Sequence, residues 1–194
     1  MSPSHESVFS RVYILHDRES TLSVAELETV LRSAHPNVEF IRPWFRQKPL
    51  VSPVAYDYFM SMSAFRSRSL VVGIGLAGLC AASMQERFPE LGSSVIAIDA
   101  PTQDGILGLV GSFRDLRPTP TTESALVALY SSQYEPIKGR CDWRKHADYA
   151  FDHRAWAYGI GYAVYTSAYL ISSFMRGLDL NREAARVIPH KETI

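Results

Sequence analysis

Apolar residues in this chain fall into short β-branched runs that alternate with stretches of helical spacing. Residues 11–16 (RVYILH) are β-branched and aromatic and predict a strand. Ser23 and Glu26 have the spacing of a capping box, so a helix is expected to open at Ser23. Val24, Leu27, Val30 and Leu31 follow with helical spacing, and His35-Pro36-Asn37 ends the helix. Residues 38–41 predict a second strand, and Pro43, Pro49 and Pro53 mark a long connection. Residues 56–65 read as a helix rich in Met and aromatics.

Residues 69–74 (SLVVGI) form an unbroken apolar run ending at a glycine turn, as expected of a central parallel strand. A helix is expected over 76–87, strands over 95–99 and 125–131, and a weak sixth strand over 149–152. A last helix is expected over 162–176, with Gly177 as its C-cap. This order implies a three-layer αβα sandwich around a mostly parallel sheet of about six strands. Residues 1–10 are expected to be disordered or extended, 11–180 to form one domain, and 181–194 to be a C-terminal tail. Residues 101–124 break the rhythm with glycines, prolines and threonines, and read as a short insertion.

Composition narrows the class. The chain has 194 residues, 46% apolar and 21% charged, enough for one domain with a substantial core. Twenty basic residues balance twenty acidic ones, so no net field draws it to nucleic acid or to an anionic membrane. Residues 156–175 carry no charge and are long enough to span a bilayer. They hold four tyrosines, two glycines and four Ser/Thr residues, however, and read as a loop followed by a buried amphipathic helix. Cys80 and Cys141 give no disulfide framework, and the polar N-terminus is unlike a signal peptide, so a cytoplasmic location is expected. No metal-ligand spacing is present, and neither a metal nor a cofactor is expected. Nothing in the sequence fixes the oligomeric state, and a homodimer stays open.

The chemistry concentrates in Leu70–Ala81 (LVVGIGLAGLCA). Gly73, Gly75 and Gly78 fit G-x-G-x-x-G after a strand, and Asp99 ends the next strand, which matches a dinucleotide fingerprint. Against it, two strands precede the motif and little chain follows for a substrate domain. The same residues also fit a nucleophile elbow, G-x-S-x-G, with Gly73 and Ala77 as small flanks and Gly75 at the nucleophile position.

In that reading the chain resembles the α/β-hydrolase superfamily from about residue 11 to 176, with glycine replacing the serine. The resemblance implies an oxyanion loop at Asp17 and Arg18 after His16, with the backbone N–H of Leu76 as the second donor. It places Glu135, in Ser131-Ser132-Gln133-Tyr134-Glu135-Pro136-Ile137, at the triad acid and His153 at the triad histidine, with His146 competing. It implies a short cap at 101–124 and substrate contacts from His16, Thr102 and Tyr134. Each residue also has a plain reading: Gly75 as a tight-turn glycine, Glu135 as a loop carboxylate, His153 as a surface histidine beside Asp152.

Glycine cannot attack a carbonyl, so acyl-enzyme chemistry at residue 75 is impossible. The sequence therefore points to the lineage of serine esterases and thioesterases in one of three forms. It is an engineered inactive hydrolase, a natural relative doing non-hydrolytic acid/base chemistry on a small molecule in a biosynthetic pathway, or a binding protein on the same fold. An enzyme is favoured over a binder, because Glu135 and His153 keep their places. The expected partner is a small-molecule ester, thioester or pathway intermediate.

Overall fold

A computed structural model of the chain describes residues 6–16, 22–42, 69–75, 77–78, 81–82, 85, 93–100, 125–131, 144 and 147–189. The helix expected at 56–65, the cap at 101–124, Cys80 and Cys141 lie outside the described residues.

Six strands, β1 (Arg11–His16), β2 (Glu39–Ile41), β3 (Ser69–Ile74), β4 (Ser94–Ile98), β5 (Leu126–Tyr130) and β6 (Tyr149–Asp152), form one sheet in the order β2-β1-β3-β4-β5-β6. Every neighbouring pair is parallel. The expected strands are all present, with ends shifted by a residue where the chain leaves the ladder: β2 starts at Glu39, and β4 covers Ser94–Ile98.

Strand side chains alternate between two cores. Val12, Ile14, Leu70, Val72, Ile74, Ile96, Ile98, Val127 and Leu129 face one side. Tyr13, Leu15, Val71, Val95, Ala97, Leu126 and Ala128 face the other. Burial on both faces explains why the central strands read as continuous apolar runs.

The first face is covered by three helices: α1 (Val24–Ala34), α3 (Ile160–Met175) and α4 (Leu180–Val187). A short α2 (Ala155–Tyr158) precedes α3. The second face receives the helix after β3, described at Ala77, Gly78, Ala81, Ala82 and Gln85. Layers on both sides of a parallel sheet make the expected three-layer sandwich.

Several local expectations are corrected. Ser23 does precede α1, but its side chain makes no capping hydrogen bond. Leu22 before it and Leu27 within α1 are instead buried in one core, the arrangement of a hydrophobic staple. Val30 is 43% exposed, off the buried stripe of Val24, Leu27 and Leu31. The last long helix begins at Ile160 and ends in a Schellman turn, where Gly177 N–H bonds Phe174 O at 2.9 Å and Leu178 N–H bonds Ser173 O at 3.0 Å.

The segment expected as a tail from 181 instead folds as α4. Asp179 caps it by accepting from Asn181 N–H at 3.0 Å, and Leu180 and Ala184 are buried. Near the other terminus, Val8 N–H bonds Met175 O at 2.8 Å and Phe9 stacks on Phe174 at 5.6 Å, so residues 6–10 are pinned to the end of α3. Among the described residues no helix is long and apolar enough to cross a membrane.

Candidate active site

The topology selects one edge of the sheet. After β1 the chain moves outward to β2, and after β3 it moves the opposite way to β4. The carboxyl ends of β1 and β3 are therefore a topological switch point, where open parallel sheets bind ligands. His16 ends β1 and lies in register with Ile74, the residue before Gly75.

Gly75 turns the chain out of β3 with φ 66°, in the left-handed region. Its N–H bonds Ile98 O at 2.9 Å, and its carbonyl accepts from Gly78 N–H at 3.0 Å. The turn is tight because strand and helix touch through backbone. A Cβ on Gly73 would lie 2.6 Å from Gly78 Cα and 2.7 Å from Ala77 O. A Cβ on Gly78 would lie 2.7 Å from Gly73 O and 3.2 Å from Ala100 Cβ. Gly73 is in register with Ala97, and Ala97 with Ala128, so a row of small residues crosses this face. The motif glycines thus serve close helix–strand packing, which both the elbow and the dinucleotide fingerprint require.

One strand further, Asp99 ends β4 with φ 49°, left-handed for a residue with a side chain. Its N–H bonds Leu129 O at 2.8 Å. Beyond β6, Arg154 takes φ 58° and its N–H bonds Asp152 Oδ1 at 2.8 Å. All three left-handed turns among the described strand ends thus lie along one edge of the sheet. Such conformations each cost about 1–3 kcal/mol where a side chain is present, and they gather at functional sites.

Between the last two sits His153. Its N–H bonds Tyr130 O at 2.9 Å, which continues the β5–β6 ladder by one step. Its ring is fully buried, and Nε2 lies 2.9 Å from Asp99 Oδ1, a carboxylate that is 9% exposed. The two side chains together therefore bridge from β6 across the end of β5 to β4, about 10 Å at ordinary strand spacing.

The structure brings His16, Gly75, Asp99 and His153 to one edge. The expectation of a surface position for His153 is corrected by its full burial. Asp17, Arg18, Leu76, Thr102, Tyr134, Glu135 and His146 lie outside the described residues. The contact of Asp99 with His153 was missed by sequence reasoning, which read that carboxylate only as the acidic residue of a dinucleotide fingerprint. The available signal was an Asp at a strand end, a residue type that tolerates a left-handed turn. Among the described residues, no group of three His, Cys, Asp or Glu side chains is placed to hold a metal.

No protein-family model matches the chain. No curated protein matches it either. Among solved structures, the esterase domain of a Rhodothermus marinus protein aligns over 87% of each chain with a TM-score of 0.54 at 13% identity. An alpha/beta hydrolase enzyme from the metagenome of sediments from the lagoon of Mar Chica, Morocco, aligns over 66% of this chain and 70% of its own, with a TM-score of 0.45 at 12% identity. At that identity the first likeness establishes fold alone. Topology and likeness together give the chain a three-layer, α/β-hydrolase-like fold.

Proposed function

We propose that this protein carries out acid/base chemistry on a small carbonyl-bearing molecule without a covalent intermediate. The Asp99–His153 pair is its proton-handling group. The observation that carries this reading is the 2.9 Å contact between His153 Nε2 and Asp99 Oδ1 at the edge occupied by the Gly75 turn. We assign the acid role of the resemblance to Asp99 rather than to Glu135. The same contact engages the carboxylate that a dinucleotide would need for its ribose, which favours this reading over a nucleotide site.

In this mechanism Asp99 fixes the ring and offsets the charge of the imidazolium, while the imidazole takes a proton from water or from the substrate and returns it. Burial keeps bulk water from competing for the ring. Backbone N–H groups at Leu76, Asp17 and Arg18 are the proposed donors to a developing oxyanion. Glycine at 75 brings no side chain to the place of a serine, and in this reading the substrate or a water takes that place.

The test uses p-nitrophenyl acetate. The native chain is expected to release nitrophenol linearly, with no burst, and to resist a fluorophosphonate. His153→Gln keeps an amide donor toward Asp99 but has no base, and should lower turnover about 10²-fold or more. A burst, fluorophosphonate inactivation, or equal turnover in His153→Gln contradicts the reading.

A further inference from the structure

We propose that Ser131 Oγ is a hydrogen-bonding contact for an oxygen of the small molecule handled by the Asp99–His153 pair. The inference rests on the acid/base reading above and adds a residue that binds rather than transfers protons.

Ser131 follows β5, whose other residues are Leu126, Val127, Ala128, Leu129 and Tyr130. It is 1% exposed, and among the described residues its hydroxyl has no hydrogen-bond partner. A buried hydroxyl without a partner is destabilising, and alanine at this position would avoid that cost. Nothing described in the fold offsets it, so the partner is expected from outside the chain.

Register says where that partner lies. Tyr130 pairs with Asp152, so one step on Ser131 stands beside His153. Leu129 pairs with Ile98, so the same residue lies two steps along from Ile98, just past Asp99. Val127 and Leu129 face the core under α1 and α3, and Phe151 packs against that core too. Alternation puts Ser131 and His153 on the same side. The side chains of His153 and Asp99 meet across the end of β5, where Ser131 is.

Thr166 and Ser167 are also buried without a partner, but both are turns of α3, whereas the register neighbours of Ser131 are the two members of the pair.

Ser131→Ala, His153→Gln and the native chain are compared with p-nitrophenyl acetate as the probe. Loss of one neutral hydrogen bond made to bound substrate should raise KM about 5-fold while kcat stays within about 2-fold. The melting temperature of Ser131→Ala should be equal or higher, since an unmatched hydroxyl is removed. An unchanged KM alongside an inactive His153→Gln overturns the inference and leaves the acid/base reading standing. A melting temperature several degrees lower means the hydroxyl has a partner within the fold and also overturns it. Fluorophosphonate labelling of Ser131 overturns it as well, because the hydroxyl would then be the attacking group. Native turnover in His153→Gln removes the acid/base reading and this inference together.

Discussion

A methyl group at position 73 would sit 2.6 Å from Gly78 Cα and 2.7 Å from Ala77 O, and neither is a side chain that can rotate away. Overpacking of this kind costs about 1–3 kcal/mol. In a chain of this length each kcal/mol moves the melting temperature by roughly 2–4 °C. Gly73→Ala should therefore melt roughly 3–10 °C below the native protein in a thermal scan; an unchanged melting temperature would mean that strand and helix do not meet through these glycines. This part of the site was legible in the sequence, because only small residues permit such an approach and their spacing survives in Gly73, Ala77 and Gly78. The contact between His153 and Asp99 was not legible. Finding it requires knowing that the backbone turns left-handed at 99 and that side chains from β6 and β4 can meet across the end of β5. Both are matters of tertiary geometry that leave no pattern in neighbouring residues.

The helices on the first face depend on polar contacts as well as on aliphatic packing. His35, just past α1, is buried, with Nε2 2.8 Å from Ser172 Oγ on α3. Burial, aided by the charge of Arg176, pushes its pKa below the ordinary histidine value. The unfolded chain binds that proton near pH 6.5 and the folded chain does so only at lower pH. Acidification from about pH 7 therefore draws the equilibrium toward the unfolded state, and the loss is complete once the folded value is passed. Chemical denaturation of the native chain and of His35→Gln across this range should show the slope in the first and its loss in the second. Parallel slopes would mean that His35 is not the group responsible. At this scale the strands were legible because β-branched runs bounded by turns are long enough to carry a signal. The final helix α4 was missed although its eight residues are strongly amphipathic: the sequence reading expects a tail there, whereas Leu180 and Ala184 are buried and Glu183 accepts from Tyr169 on α3 and from Arg186. Its cap, Asp179, was a further local cue.

Across the whole molecule, the fold places chemistry by topology. The strand order reverses between β1 and β3, and His16, Gly75, Asp99 and His153 all stand at the carboxyl edge that results. The fold class followed from the alternation of strand and helix signals, whereas the site depends on which strand ends become neighbours. A hydrolase-like frame does not by itself specify a reaction. What this chain adds to the frame is an Asp99–His153 pair at the same sheet edge as the Gly75 turn, which we propose is a reaction site without a side-chain nucleophile. The most direct measurement is to supply one. Gly75→Ser should be labelled at position 75 by a fluorophosphonate and should give a nitrophenol burst, and both should vanish when His153→Gln is added. The left-handed φ of 66° makes the substitution cost about 1–2 kcal/mol without abolishing the fold. A folded Gly75→Ser protein that takes no label at that position, or takes it equally without His153, would contradict a reaction site shared by the pair and the turn.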